Sequence, residues 1–466
     1  MKLLLVESHY RSRSWFKALD GLVDLYILSV MPEERKLFEE SGVPTHKILN
    51  LHHPKFDQLP FDRVVEGVKS LEKKYQLNVN QVILTDRTLR RRDLEHNFRY
   101  VHSIASQIIN FIELNHIDAV LIEPTWTHEL ILTKICKALE IPVISPVKDK
   151  LLANHFFVFK DHLHEDLFIR DSASQNLDLV EKISDLFLKN KKPQYFVKFN
   201  KRNKFTFAKL RVLFDIVRLS VLGYRNENIQ ASLGRAILRK LGAMVRAYQY
   251  TFFNNFVRIN DLSEPFILIT LHVQPEASID VVGEKFSNQL EVVRQIVRTT
   301  PAGFTVVVKE HPHDFGQRGR QFYQALDSMG CVKVLHPHEE SRRAIERSRL
   351  VMSITGTSSL EAAMLGIPAV TMVPMYFKKM LVRESFDPFN ACVAQLMRDS
   401  ELWRVRYKKE DVKKLMFDIW SNTFVGNSGD FKTDPSVLDP DNISNLRNAF
   451  REIIRGLPDN DVDICS

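Results

Sequence analysis

An uninterrupted β-branched run at residues 305–308 ends abruptly in a polar segment, Lys-Glu-His-Pro-His, at 309–313. The run is too short for a helix and apolar on both faces, which is typical of a strand buried in a parallel sheet. Open α/β sheets bind ligands at the carboxyl ends of such strands. Because Lys309 and His311 stand at that end, the pattern favours a bound phosphate. A buried histidine in a loop is the alternative that this segment alone leaves open.

A second stretch, 350–373, predicts a strand, a turn, a helix and a further strand. Its first apolar run, 350–354, ends in a hydroxyl-rich turn at 355–359. A helix is expected from 360 to 365, and Gly366 ends it. The start of such a helix binds anions, because its free N–H groups and its dipole both point at the ligand. Glu361, one turn inside, is either a carboxylate of local value at the helix start or an acceptor for ribose hydroxyls.

Three ordered motifs carry a resemblance to a known family. They are Leu-His-Val-Gln-Pro-Glu-Ala-Ser at 271–278, Val-Lys-Glu-His-Pro at 308–312 and Thr-Gly-Thr-Ser-Ser-Leu-Glu-Ala at 355–362. Together they resemble the bacterial capsule and surface polysaccharide biosynthesis glycosyltransferases of the GT-B type. The similarity is clearest over 266–377 and fades in the N-terminal half.

The resemblance implies an α/β fold of the GT-B kind, in which two Rossmann-like domains face a cleft. It implies transfer of a sugar from a nucleotide-activated donor to a growing surface glycan or a lipid-linked acceptor. Several relatives use CMP-activated acidic sugars such as Kdo or sialic-type acids, so a donor of this kind is one expectation. The alternatives are a nucleotide-sugar epimerase of the same fold and a non-catalytic, membrane-associated scaffold of polysaccharide synthesis.

The donor site combines residues assigned by strand position with residues assigned by resemblance. The resemblance assigns the phosphate to the His311–Pro312 pair and the 355–359 turn, and the nucleotide to Glu361. Gln274 ends the first strand of the second half of the chain and faces the same cleft. The full predicted set is Gln274, Lys309, His311, Pro312, Thr355, Gly356, Thr357, Ser358, Ser359 and Glu361.

Length and composition suit a two-domain protein without a cofactor. With 466 residues the chain is too long for one ordinary core, and its 44% apolar and 26% charged shares are typical of globular proteins. The four cysteines lack the spacing of a zinc site or a disulfide framework. No paired carboxylates are placed to hold a divalent ion, so no metal is expected. The first apolar run, 1–6, is too short for a signal peptide, and a cytoplasmic location is expected.

The rhythm of strands and helices predicts the domain organisation. We expect an acceptor-side Rossmann-like domain at 1–165, a basic helical segment at 166–262, a nucleotide-sugar-binding Rossmann-like domain at 263–400, and helices at 401–466 that pack back on the first domain. Strands are expected in the first domain at 3–6, 25–30, 81–85, 119–122 and 141–144. In the second domain they are expected at 266–271, 305–308, 332–335, 350–354 and 369–373.

The first domain should supply the base that takes a proton from the acceptor hydroxyl. Asp86 and Glu123 are the candidates, because each follows a predicted strand. Glu123 is favoured, since Trp126 and His128 could shape a sugar-sized pocket around it, whereas Asp86 lies close to a cluster of arginines. Glu7, His9 and His128 are weaker candidates for the same role.

Positive charge is concentrated in one segment. Residues 189–258 contain sixteen lysines and arginines but only two acidic residues, Asp215 and Glu227. Aromatic and aliphatic residues are interleaved with them at helical spacing. Three interpretations stay open: docking on an anionic membrane surface at the inner face of the cell membrane, a groove for an anionic acceptor, and an ordinary helical insertion with a solvated face. No motif for binding nucleic acid is present.

Overall fold

The structure is a computed structural model of the 466-residue chain. It describes residues 1–7, 12–51, 59–170, 183, 238, 242–243, 245–246, 248–250, 256–263, 265–312, 314–431 and 434–457. The chain forms two compact units. One takes in Met1–Leu233 and Trp420–Ser466, and the other takes in Gly234–Ile419.

The first unit is built on a seven-stranded sheet. Its strands are β1 (Lys2–Val6), β2 (Asp24–Ser29), β3 (Ile48–Asn50), β4 (Ala119–Leu121), β5 (Val143–Lys148), β6 (His155–Phe159) and β12 (Phe424–Val425). The order across the sheet is β12-β6-β5-β4-β1-β2-β3. The pairs from β5 to β3 are parallel, whereas β6 is antiparallel to both β5 and β12. Because β2 and β3 follow on one side of β1 and β4 on the other, a topological switch point lies between β1 and β4.

Seven helices described in this unit flank the sheet. They are α1 (Ser12–Leu19), α2 (Pro32–Glu40), α3 (Phe61–Tyr75), α4 (Val79–Thr85), α5 (Leu94–Asn115), α6 (Thr127–Ala138) and α13 (Pro440–Arg455). Helix α13 is amphipathic and packs on α1. Its Leu446, Phe450 and Ile453 join Trp15 and the apolar side chains of β1 in one core. The last described helix is therefore part of the first unit.

One predicted strand of the first unit is a helix. Residues 81–85 lie in α4, which buries Val79, Val82 and Ile83 at helical spacing, and Asn78 caps it by accepting a hydrogen bond from the amide of Gln81. An apolar run this short does not distinguish a strand from a buried helical turn. The other strands predicted for this unit are confirmed, with ends shifted by a few residues.

Asp86 consequently follows a helix instead of a strand, and it is 2% exposed. Its Oδ1 accepts hydrogen bonds from the amides of Thr88 (2.7 Å) and Leu89 (2.9 Å). Its Oδ2 accepts one from the amide of Thr127 at the start of α6 (3.1 Å). The carboxylate thus joins its own turn, through Thr88 and Leu89, to the start of α6.

The second unit is built on a five-stranded parallel sheet. Its strands are β7 (Phe266–Thr270), β8 (Thr305–Lys309), β9 (Val332–Leu335), β10 (Leu350–Ser353) and β11 (Ala369–Thr371), in the order β11-β10-β7-β8-β9. Its helices are α7 (Gln289–Thr299), α8 (Arg320–Asp327), α9 (Ser341–Arg347), α10 (Thr357–Met364), α11 (Val393–Arg406) and α12 (Lys409–Trp420). The strands other than β9, whose Lys333 is exposed, are buried on both faces. The side chains of one face form a core with the flanking helices.

Chain order makes β7 the centre of this sheet. From β7 the chain proceeds to β8 and β9 on one side, then returns to β10 and β11 on the other. The switch point therefore lies between the carboxyl ends of β7 and β10. The α/β, GT-B-like class is confirmed in its two Rossmann-like halves. No helix in the described part of the chain is both long and apolar enough to cross a membrane.

We expect Asp86→Ala to lower the free energy of unfolding by roughly 2 to 4 kcal/mol, because three amides lose their acceptor and two of them lie in buried hydrogen bonds. Chemical denaturation measures the change. Asp93→Ala is the matched control: this carboxylate caps α5 by accepting one exposed hydrogen bond from the amide of His96, and its loss should destabilise the protein less. Equal effects of the two changes would contradict the joining role of Asp86.

Candidate functional site

The candidate site is the crevice at the switch point of the second sheet. Two contacts cross this crevice. They join the end of β7 and the loop after it to the loop after β10 and the start of α10. Thr270 Oγ1 and Ser358 Oγ are 2.6 Å apart. His272 Nε2 accepts hydrogen bonds from the amides of Ile354 and Thr355, each at 3.3 Å. The two loops are thereby fixed to each other at the place where ligands bind to sheets of this kind.

His272 is a residue of the candidate site that the sequence reasoning did not single out. It is 9% exposed, and its own amide donates to Gln289 Oε1 at 2.7 Å. Because Nε2 accepts two hydrogen bonds, the neutral ring must carry its proton on Nδ1. A histidine two residues beyond a buried strand was the available signal, and it lay inside the first of the three motifs.

Helix α10 begins at Thr357, three residues earlier than predicted. The hydroxyl residues predicted as a turn therefore form the first turn of the helix. Gly356 is the N-cap and has no side chain to cap with, and the amides of Thr357 and Ser358 have no acceptor within the helix. A Cβ at Gly356 would lie 3.1 Å from Ser353 Cβ, so a larger residue would require the neighbouring chain to shift by a few tenths of an ångström. The helix presents bare amides and two half-buried hydroxyls.

Two of the predicted phosphate ligands are used inside the fold. Ser359 is fully buried, where its Oγ lies 2.8 Å from the carbonyl of Val370 and 2.7 Å from Ser353 Oγ. Thr355 is 7% exposed, and its hydroxyl donates to the carbonyl of Ser278 at 3.1 Å. Internal acceptors hold both hydroxyls, as is usual for buried polar groups. The assignment of the phosphate to the 355–359 turn stays a prediction.

Glu361 lies on the same helix, one turn in, and is half-buried. Burial raises the pKa of its carboxyl to about 7, and the positive charge of Arg342 opposes that rise only in part. Among the described residues its carboxylate has no hydrogen-bond donor. An acceptor withdrawn from water without a donor is suited to a ligand that brings hydroxyl groups.

Contrary to the prediction, Lys309 does not reach into the crevice. Its side chain is 2% exposed, and Nζ donates to the carbonyl of Pro337 in the loop after β9 at 2.8 Å. Burial lowers the pKa of Lys309 to about 8, although Glu310 and Glu339 act in the opposite direction. The lysine ties the ends of β8 and β9 together, so the prediction of a direct phosphate contact is wrong for the geometry seen here.

The other residues predicted at the strand ends also differ in whether the fold itself uses their side chains. His311 is half-buried and its amide donates to Glu310 Oε1 at 2.9 Å, whereas Pro312 is exposed. Gln274 Nε2 donates to Asp280 Oδ1 at 2.9 Å, so the amide group of this residue orients the loop after β7. His311 therefore remains as the candidate imidazole at the edge of the crevice. His313 lies outside the described residues.

In the first unit, Glu123 and Glu7 follow the two strands that border the switch point. Glu123 is half-buried two residues beyond β4. Glu7 is 1% exposed, and its Oε2 accepts hydrogen bonds from the amides of Val30 and Met31. Burial, with the negative charges of Glu34 and Glu129, raises the pKa of Glu7 to about 8.

The pocket predicted around Glu123 is not formed by the residues proposed for it. Trp126 and His128 are 6% and 1% exposed and belong to the interior. Glu129 caps α6 by accepting hydrogen bonds from the amides of Thr125 and Trp126. His9 lies outside the described residues.

Of the sixteen lysines and arginines of 189–258, two lie within the described residues. Arg246 donates to the carbonyl of Gly316 at 2.8 Å, and Arg258 pairs with Glu339 at 3.0 Å. Both contacts are made inside the second unit. The remaining lysines and arginines of 189–258 lie outside the described residues, so the membrane interpretation stays a prediction. Within the described part of the chain, no three His, Cys, Asp or Glu side chains are placed to hold a metal ion.

No family model matches the chain, and no curated protein matches its sequence. Similar solved structures include a UDP-GlcNAc 2-epimerase of Methanocaldococcus jannaschii in complex with UDP-GlcNAc and UDP, at 15% identity over 98% of this chain and 100% of that chain, with a TM-score of 0.30. They also include the glycotransferase of kitacinnamycin, at 11% identity over 98% and 99% of the two chains, with a TM-score of 0.28.

A third similar structure is Thermosulfurimonas dismutans KpsC, a beta Kdo 2,7 transferase. It is 12% identical over 75% of this chain and 89% of that chain, with a TM-score of 0.33. TM-scores this low do not place the chain in the family of any of these proteins. Its function has to be argued from its own residues.

The carboxyl of Glu361 makes stability depend on pH in a defined direction. Its pKa is raised in the folded state, so its contribution to stability is present in full below pH 4.5 and is lost as the pH rises through about 7. We therefore expect Glu361→Gln to match the wild type at pH 4.5 and to exceed its free energy of unfolding by roughly 2 kcal/mol at pH 8. Urea denaturation at the two pH values measures this, and a constant difference would contradict it.

Proposed function

We propose that the protein is a glycosyltransferase that moves a sugar from a nucleotide-activated donor to a surface glycan or lipid-linked acceptor. The observation that carries the proposal is the crevice between β7 and β10. There, the bare amides of α10, the hydroxyls of Thr357 and Ser358, and the half-buried Glu361 stand at the switch point of a parallel sheet. A phosphate at the helix start and ribose hydroxyls at Glu361 satisfy both ends of this arrangement.

Departure of the nucleotide requires stabilisation of the charge that develops on its phosphate. The amides of Thr357 and Ser358, with the positive end of the α10 dipole, supply fixed donors that need no rearrangement during the reaction. We propose that the side chain of His311 approaches the same phosphate from the end of β8. The site thereby supplies amide, hydroxyl and imidazole donors to the leaving group.

Glu123 is the base that we propose for the acceptor hydroxyl. Both oxygens of Asp86 accept hydrogen bonds from backbone amides, and its loss would disturb the turn at 86–89 and the start of α6. Glu123 follows a buried strand at the switch point of the first sheet and is half-buried. The hydrogen bonds of the structure thus favour the same ranking of the two carboxylates as the sequence did.

The motif resemblance supports a CMP-linked acidic sugar as donor, and we propose the inner face of the cell membrane as the place of action. A panel of CMP, CDP, UDP, GDP and their sugars, screened by the rise in melting temperature, tests the nucleotide. Release of nucleotide that depends on an added acceptor identifies a transferase. Conversion of the sugar without any acceptor would identify an epimerase instead.

We expect His311→Ala and Ser358→Ala each to weaken nucleotide binding by about tenfold or more while the melting temperature stays near that of the wild type. A charge-assisted phosphate contact contributes roughly 1.5 to 3 kcal/mol, and neither side chain lies in the core. Calorimetric titration with the nucleotide found in the panel gives the affinities.

Ser328→Ala and His46→Ala are the matched controls for these two changes. Ser328 is exposed and its hydroxyl donates to the carbonyl of Ala325, and His46 is exposed in the first unit. Both controls should bind nucleotide as the wild type does. Unchanged affinity in His311→Ala and Ser358→Ala as well would overturn the phosphate assignment.

We expect Glu123→Gln to keep nucleotide affinity but to lose transfer by roughly 10² to 10⁴-fold, which is the usual contribution of a general base. Transfer assays at saturating donor, together with the nucleotide titration, separate the two effects. Asp86→Asn is the comparison, because it preserves one acceptor oxygen for the amides. Wild-type transfer in Glu123→Gln with an inactive, folded Asp86→Asn would reverse the ranking of the two carboxylates.

A further inference from the structure

Arg318 lies in the loop between β8 and α8, and its side chain is 10% exposed. Nε donates to Glu310 Oε2 at 2.9 Å, in the segment that follows β8. Nη2 donates to the carbonyl of His272 at 2.7 Å, in the segment that follows β7. The same Nη2 lies 3.1 Å from Asp314 Oδ2. One guanidinium therefore bridges the ends of two adjacent strands.

We propose that Arg318 is a positioning residue that sets the geometry of the nucleotide phosphate site by holding the loops after β7 and β8 in one arrangement. This inference rests on the proposed function. None of the three sequence motifs includes Arg318, which lies six residues beyond Pro312 in a polar turn.

Two chains of contacts lead from Arg318 to the proposed phosphate ligands. The first passes through Glu310, whose Oε1 accepts the hydrogen bond of the His311 amide and whose Oε2 also accepts one from Tyr323 Oη at 3.0 Å. The second passes through His272, whose carbonyl accepts a hydrogen bond from Arg318. The ring of His272 accepts hydrogen bonds from the amides of Ile354 and Thr355 just before α10. Loss of the bridge would release both the imidazole and the start of the helix.

The backbone around Arg318 is held independently of its side chain. Tyr250 Oη donates to the carbonyl of Arg318 at 3.0 Å, and Arg246 donates to the carbonyl of Gly316. Tyr250 is itself 2% exposed and packs edge-on against Tyr323. A change confined to the guanidinium should therefore leave this part of the fold in place.

Arg318 is one cation beside two carboxylates. Arg318 faces two buried carboxylates, Glu310 and Asp314, which are 0% and 1% exposed. Burial raises the pKa of Asp314 to about 7; the Arg318 charge and the Gln274 amide lower it, and the charges of Glu310 and Glu276 raise it further. As the pH rises through 7, a negative charge develops on Asp314, whose amide donates to the carbonyl of His311 at the proposed phosphate site. Affinity for phosphate groups should fall over that interval.

The first arm of the test compares Arg318→Lys with Arg318→Met in nucleotide titrations, with melting curves of both. Lysine keeps the charge beside Glu310 and Asp314 but cannot donate to both loops through one planar group. We expect Arg318→Lys to melt near the wild type and to bind the nucleotide from the panel about tenfold or more weakly. Arg318→Met, which leaves two buried carboxylates without a cation, should bind more weakly still and melt lower.

Arg294→Lys is the matched control, because Arg294 forms an exposed pair with Glu291 on α7. Its affinity and its melting curve should equal those of the wild type. Wild-type affinity in Arg318→Lys would overturn the positioning role. Loss of the fold in Arg318→Lys would also overturn it, since the arginine would then act in folding alone.

The second arm measures the pH dependence of affinity between pH 6 and 8 in the wild type and in Asp314→Asn. Glu361 and Lys309 titrate in the same range and are present in both proteins. We expect the decline with rising pH to be shallower in Asp314→Asn. Identical profiles would overturn the coupling through Asp314. A wild-type protein that binds none of the nucleotides would instead overturn the proposed function, and this inference with it.

Discussion

The candidate site of this protein depends on the pairing of β7 with two neighbours that lie on opposite sides of it in the sheet. β8 follows β7 and pairs on one side, whereas β10 returns to pair on the other. Both pairings are parallel, so the loops after β7 and β10 leave the sheet at one edge and must turn away from each other. The crevice between them follows from this topology, whatever side chains occupy it.

The side chains decide how firmly the crevice is held. His272 accepts hydrogen bonds from two amides of the loop after β10, and the hydroxyls of Thr270 and Ser358 are hydrogen-bonded to each other. The start of α10 is therefore attached to the end of β7. Such an attachment costs little reorganisation when a ligand binds, because the donors already point in one direction. A preorganised anion site of this kind suits a reaction in which charge develops on a phosphate.

Burial separates the polar residues of the motifs into two groups. Lys309, Ser359 and Thr355 point inward, where a buried polar group must find a partner within the fold, and each has one. Ser358 and Glu361 stay half-buried on the turn of α10 that faces the crevice. Residues of the same chemical type, a few positions apart, thus serve the fold in one case and the candidate site in the other.

The sequence by itself determined the strands of the second sheet, the glycine at 366 that ends α10, and the strand ends where polar residues gather. These features are local: β-branched runs, a glycine and an abrupt change of polarity act over a few neighbouring residues. The strand predicted at 81–85 failed for the same reason, since an apolar run of that length fits a buried helical turn equally well. Only the tertiary structure decided which polar side chains point inward, and it alone revealed that Arg318 joins segments 46 residues apart. Contacts of that kind depend on the pairing of distant strands, which no short stretch of sequence specifies.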